Sequence, residues 1–280
     1  MPRTMADTEH RPQPLSAERF AHMVRRGLKR LQKAHAHCQR SANPENVHRL
    51  RRSIRHVRTL LDICAHREKR DRWRKPHVHI RQLLHALGPL RDLQVRTGLL
   101  RDLVETHPAL LPLLRRAMKE EREERKAVIE LMAQFELHEL GTLRRRMRHR
   151  GTSGPPRPAL MRTIASETHE LRARWKGMRP NDPRSMHRVR VALRRLTHLL
   201  TTFAPHLRSE FLQDLPALRR MQLQLGQAHD MQLLLDWTAG VVMKLPVAQR
   251  AAVAAFADRS ARSLDRRMAA FVRRHPDAGV

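Results

Sequence analysis

His48, Arg51, Arg55 and Arg58 follow one another at intervals of three and four, and His187, Arg190 and Arg194 repeat the arrangement 139 residues later. On an α-helix this spacing places the side chains in a line along one face. Arg49, Arg52 and His56 widen the first stripe, and Arg188 and Arg195 widen the second. No acid interrupts either stripe from His48 to Arg58 or from His187 to Arg195. Like charges one turn apart repel, and solvated helix faces relieve this by interleaving glutamate, as Lys119-Glu120-Glu121-Arg122-Glu123-Glu124-Arg125-Lys126 does. In the two stripes the compensating charge must come from outside the helix. Guanidinium is a rigid fork matched to anionic oxygens, and successive helical turns offer donors about 5.4 Å apart, so a linear chain of phosphates suits the geometry. His48 and His187 head their stripes near a helix N-terminus, where anions are favoured. Each ring could cap or pack instead; its recurrence in both copies favours a ligand role.

The stripes need helices to carry them. Val47, Leu50, Ile54, Val57 and Leu61 form an apolar line beside the first, and Met186, Val189, Leu193, Leu196 and Leu200 one beside the second. An Asx-Pro pair precedes each (Asn43-Pro44 and Asp182-Pro183), a start in which the Asx side chain caps and proline fills the first turn. About forty residues on, Leu87-Gly88-Pro89-Leu90-Arg91-Asp92 matches Leu225-Gly226-Gln227-Ala228-His229-Asp230, at an offset of 138. Two motifs in the same order at nearly the same offset mark an internal duplication. The periodicity is helical nearly throughout, with helices expected near 16–40, 44–65, 74–105 (kinked or broken at Gly88-Pro89) and 109–149, then 157–177, 183–203, 208–238 and 246–274. The expected fold class is all-α: two tandem four-helix up-and-down bundles related by the repeat. A tail over 1–15, a first half over 16–150, a Gly/Pro-rich linker over 151–158 and a second half over 159–275 complete the expected layout.

Composition narrows the partner. The 280 residues carry 57 Lys+Arg against 27 Asp+Glu, a net charge of +30, and arginine supplies all but eight of the basic residues. Both halves share the excess, with 35 basic against 17 acidic residues in 1–150 and 22 against 10 beyond. A polyanion is the expected partner, because such a field only destabilises a protein that has no use for it. Aromatic residues are 3% of the chain and tyrosine is absent, which disfavours base stacking on single strands. No apolar run is long enough for a membrane helix, so no membrane partner is expected. The polar N-terminus lacks a signal-peptide pattern, and a cytoplasmic location is expected. Cys38 and Cys64 are far apart and read as packing residues. His35/His37 and His77/His79 would point apart on a helix, so no metal site and no cofactor is expected. Asp92 and Asp230 belong to separate repeats and are not expected to converge; each is read as orienting a neighbouring arginine. Gly88 and Gly226 are read as permitting a bend or a close helix approach.

The pattern His-x-x-Arg-x-x-x-Arg followed by Leu-Gly-x-x-(Arg/His)-Asp, occurring twice in an all-helical chain, resembles the CHAD domain, the conserved histidine α-helical domain. The resemblance covers about residues 16–275. It implies two four-helix bundles around a basic surface or pore that binds inorganic polyphosphate, with targeting to polyphosphate granules. The phosphate-chain ligands it implies are His48, Arg51, Arg52, Arg55, Arg58, His187, Arg190, Arg194 and Arg195, with Arg81 and Arg219 contributed from the third helix of each half. His56, Thr197 and His229 depart from the pattern, so the second site is expected to be weaker or more pH-dependent. Some relatives fuse this domain to a triphosphate-hydrolysing tunnel domain with a Glu-x-Glu-x-Lys strand; no such strand is read in this sequence, and no catalytic residue is expected. A nucleic-acid backbone is the competing polyanion, and a histidine-dependent phosphotransferase or phosphohydrolase is a third, weaker reading.

Overall fold

The computed structural model describes residues 12–67, 71–135, 138–149, 156–179 and 182–275. Ten α-helices are described: α1 (Ala17–Arg40), α2 (Pro44–Arg67), α3 (Asp71–Ala86), α4 (Gly88–Thr106), α5 (Leu111–Gln134) and α6 (His138–His149) in the first half. In the second half they are α7 (Pro156–Lys176), α8 (Pro183–Phe203), α9 (Leu215–Val241) and α10 (Val247–Arg274). No strand occurs among the described residues. The two stripe-bearing helices start as their sequences dictate. Asn43 Oδ1 accepts from the Asn46 backbone N–H at 2.8 Å, and Asp182 Oδ1 accepts from that of Arg184 at 2.9 Å.

Each half is a four-helix bundle once two long helices are allowed to break. In the first half, α3 and α4 run on from one another across Leu87, where Pro89 interrupts the helical ladder. The expected helix over 109–149 is instead α5 and α6. Phe135 ends α5 in an extended conformation (φ −78°, ψ 105°), and its ring packs 4.4 Å from that of His79 on α3. In the second half, two short 3-10 turns occupy Ala204–His206 and Ser209–Phe211, so α9 starts at Leu215 rather than near 208. Pro156, Arg157 and Pro158, expected in the linker, open α7, since proline is tolerated in a first turn. Most of the expected tail, residues 1–11, and the linker's 151–155 lie outside the described residues.

The halves are fused by a shared core. Val47, Leu50, Ile54, Val57 and Leu61 on α2 are completely buried, and Val189, Leu193, Leu196 and Leu200 on α8 are buried with them in one apolar cluster. Each fully buried aliphatic side chain contributes about 2 kcal/mol. Phe20 of α1 stacks on Phe203 of α8 with ring centroids 6.4 Å apart, tying the first helix to the second half. A second cluster joins Leu100, Leu113 and Ala117 of the first half to Leu234, Val253 and Phe256 of the second. Cys38 and Cys64 are buried in the core.

α1 and α2 approach closely at a position the sequence does not advertise. A Cβ on Gly27 would lie 3.1 Å from Leu60 Cδ1 and 3.3 Å from His56 Cδ2. Gly27→Ala presses on the fully buried Leu60 by a few tenths of an ångström. The overpacking cost of about 1–3 kcal/mol is expected to exceed the roughly 1 kcal/mol that alanine gains within a helix, for a net loss of up to about 2 kcal/mol. A denaturant titration of the variant against the parent reads the loss directly. The other expected close approaches are not made. A Cβ on Gly88 or Gly226 would meet nothing within 4 Å; Gly88 marks the α3–α4 break, and α9 continues through Gly226.

Candidate polyanion-binding site

The apolar lines of α2 and α8 fix the direction of the basic ones. With Ile54 and Leu193 locked in the core, Arg51, Arg55, Arg190 and Arg194 emerge half-buried where the two helices pack together. The stripes therefore form one basic row and not two. The guanidiniums act across the two helices: Arg190 acts on Arg51 and Arg55, while Arg55 and Arg51 act on Arg194. Among the described residues, none of the four is within salt-bridge distance of a carboxylate. Arg51 Nη1 donates to the Leu84 carbonyl at 3.2 Å, and Arg190 Nε is buried with no partner.

The cost of this crowding shows in the proton affinities. Burial and four surrounding arginines push Arg194 down to about 9, and burial with its own arginine neighbours pushes Arg55 down to about 10. Arg51 and Arg190 are lowered by burial too, but aspartates support their charge: Asp92 beside Arg51, Asp230 and Asp92 beside Arg190. At neutral pH all four remain cationic, held together against their repulsion by the shared core.

Acids stand at both ends of this row. At one end stand Asp92 of α4 and Asp230 of α9, which the repeat had placed apart. Both act on Arg190, and desolvation raises both carboxyls above their ordinary range, with Asp92 adding to the rise at Asp230. The expectation that they would not meet fails because α4 and α9 pack against each other across the junction of the halves. Arg91, His48, His187 and His229 share this end; the His187 and His229 rings are 5.2 Å apart. At the other end, Arg55, Arg58, Arg194, His198 and Glu167 line a cavity of about 70 Å³, room for one phosphate group or a few waters. There Glu167 Oε2 and His198 Nε2 are buried without partners. Burial raises the Glu167 carboxyl, against the pull of Arg195.

Five histidines edge the row. His48, His187, His56, His198 and His229 all have lowered pKa values, first from desolvation and then from adjacent arginines, with His198 and His229 brought down to about 4. His56 of α2 meets His198 of α8 edge-on, with centroids 6.1 Å apart. Arg52 and Arg195 flank the four central arginines, acting on Arg55 and Arg194 respectively. Arg81 and Arg219 do not join them. Both are exposed; Arg219 Nη2 donates to Thr201 Oγ1 at 3.1 Å, and neither acts on the four central arginines.

His198 and Glu167 had not been singled out by sequence. His198 stands one helical turn beyond Arg194 and continues the stripe, so the spacing contained it. Glu167 reaches the site from α7, and no sequence pattern links it to α8. The other histidine pairs diverge as expected of i,i+2 positions: His35 and His79 both pack on Phe135, while His37 is exposed and His77 faces Asp62 at 3.7 Å. Among the described residues, no group of three or more His, Cys, Asp or Glu is placed to hold a metal ion, and no helix is long and apolar enough to cross a membrane.

Comparison with known proteins places this geometry. The chain is similar to the crystal structure of the CHAD domain from the plant Ricinus communis, at 19% identity and a TM-score of 0.65 over 99% of this chain and 94% of that one. It is also similar to PptA from Streptomyces chartreusis, at 13% identity and a TM-score of 0.70 over 93% of this chain and 99% of that one. At these identities the likeness speaks to fold. No curated protein sequence matches. The family model of the CHAD domain matches twice, over residues 22–166 and 162–277, so that together the two segments span almost the whole chain and carry one basic helix each: the protein belongs to the CHAD domain family.

Proposed function

We propose that the protein binds inorganic polyphosphate without catalysing its turnover, through a single site made by α2 and α8 together. The observation that carries this is the pair Arg55 and Arg194, half-buried, crowded by other arginines and, among the described residues, with no carboxylate within salt-bridge distance. Cations in that position strain the empty protein and are relieved by an anion that reaches between two packed helices. An unbranched phosphate chain does so at every unit. A duplex keeps its phosphates on a broad cylinder and meets the exposed rim, His48, Arg49, Arg52, His187 and Arg188, before it meets Arg55 or Arg194. Among the described residues the acids stand at the ends of the row, which supports binding over phosphoryl transfer. Localisation to polyphosphate granules follows from this reading.

Competition tests it. Labelled long-chain polyphosphate is bound near physiological salt and displaced by duplex DNA, RNA or short phosphates at matched phosphate concentration. Matched charge matters because any protein at +30 holds polyanions at low salt. Polyphosphate is expected to resist nucleic acid by at least tenfold in competitor concentration. Equal displacement by DNA or RNA would replace this reading with generic backbone binding.

A further inference from the structure

The cavity at the Glu167 end differs from the row that leads to it in what surrounds it. The row follows α2 and α8, whereas the cavity is lined from four helices: Arg55 and Arg58 of α2, Leu84 of α3, Glu167 of α7, and Arg194 and Arg195 of α8. All four arginines are half-buried. Arg58 stands one turn beyond Arg55, and Arg195 follows Arg194, so both stripes deliver their last guanidiniums to the same space. α7 packs against both α2 and α8 and stands across the end of the row.

Beyond those guanidiniums the sign of the charge changes. His48, Arg51, Arg55 and Arg58 are followed at the next helical position by Asp62, which also lines the cavity and lies 3.7 Å from His77 Nε2 of α3. Glu167 answers it from α7, acted on by Arg195 and Arg58 and by the Asp62 carboxylate. A phosphate held among the four arginines therefore meets carboxylates ahead of it. No further anionic unit is welcome in that direction.

The space and its donors suit one kind of phosphate. About 70 Å³ is room for a single group. A unit inside a polyphosphate chain has bridging oxygens on both sides and must be followed by another unit. A terminal unit has one bridge only; like a phosphomonoester it offers three acceptor oxygens and about −1.5 to −2 charge near neutral pH. Four guanidinium forks supply more donors than an internal unit can use, and a terminal unit uses them. On the reading that the row binds polyphosphate, we infer that this cavity is a receptor for the terminal phosphate of the chain. From it the chain runs between Arg55 and Arg194 towards Arg51 and Arg190, and the protein grips polyphosphate by its ends.

The test titrates the full chain near physiological salt with long-chain polyphosphate in two forms, one with free ends and one whose terminal phosphates are capped as phosphoramidates. Capping alters two groups of many, so the general attraction of a protein at +30 is nearly the same for both. Free-ended chains are expected to bind at least tenfold more tightly, and the tight phase to saturate at about two proteins per chain whatever its length. Arg58→Gln with Arg195→Gln should bring the two forms to within about twofold of each other. Arg259→Gln with Arg262→Gln, the same loss of charge at exposed positions of α10, should preserve the difference. Equal, tight binding of both forms overturns end capture and leaves polyphosphate binding standing. A difference that survives Arg58→Gln/Arg195→Gln overturns the assignment to this cavity. Displacement of both forms by DNA at equal phosphate concentration overturns the reading on which the inference rests, and the inference with it.

Discussion

Replacing Arg55 and Arg194 together by methionine is expected to weaken polyphosphate binding at least ~100-fold and, in the same protein, to raise the thermal midpoint by about 2–4 °C. The two effects have one cause. Methionine keeps an unbranched stem of similar reach, so the packing of the arginine stems is largely preserved. What disappears is the charge, which burial opposes first and neighbouring arginines second, bringing the pKa values down to about 10 and about 9. A charge-assisted hydrogen bond to phosphate contributes about 1.5–3 kcal/mol, and two lost together account for the affinity change. Arginines that served the fold would behave in the reverse way. Scanning calorimetry without ligand and isothermal titration with polyphosphate separate the two cases, and a fall in the midpoint would mean that the pair is structural.

The second large effect is pH dependence, with opposite signs for the empty and the filled protein. His198 and His229 have pKa values near 4 in the folded protein, against about 6.5 in an unfolded chain. The unfolded state therefore takes up protons first as pH falls, so the stability these groups permit is complete above about 6.5 and is lost progressively between 6.5 and 4. His48, His56 and His187 are shifted in the same direction and add to the trend. Burial sets the sign and the groups facing the rings reinforce it: Arg30 acts from α1, Arg52, Arg55 and Arg91 from α2 and α4, and Arg190 and Arg194 from α8, with Asp92 and Glu45 as weaker opposing charges. A bound phosphate chain reverses this balance by placing negative charge beside each ring. Binding then takes up protons, and affinity is expected to rise at least tenfold between pH 8 and pH 5.5 at fixed salt. Over the same interval the melting point of the empty protein should fall. His198→Gln together with His229→Gln should flatten both slopes, while an affinity that is independent of pH would remove the histidines from the site.

The helices that carry the site could be read from the chain because two signals agreed on them. Asn43-Pro44 and Asp182-Pro183 fixed their starts, and apolar residues at three- and four-residue spacing fixed their buried faces. Once those faces are buried, the basic stripes can only emerge beside them. The break at Phe135 carried no such mark, since neither proline nor glycine stands there and what accompanies it is the packing of the Phe135 ring on His35 and His79. Long-range convergence was equally silent. Asp92 and Asp230 are 138 residues apart, and nothing local says that α4 meets α9, or that Glu167 of α7 closes the far end of the row. Arg81 and Arg219 show the opposite failure: they were carried by the family resemblance at matching distances from Gly88 and Gly226, yet the helix face they occupy is turned to solvent. Periodicity assigns a face, and only packing assigns what that face meets.

That the two repeats build one receptor is the central claim, and stoichiometry tests it. Calorimetric titration of the full chain with a polyphosphate short enough to occupy a single helix row should give about one chain bound per protein. Arg51→Ala/Arg55→Ala in the first repeat, or Arg190→Ala/Arg194→Ala in the second, should each abolish that binding event, because both helices grip the same chain. Two chains bound by the parent protein, falling to one of unchanged affinity in either variant, would instead mean that each repeat carries its own independent site.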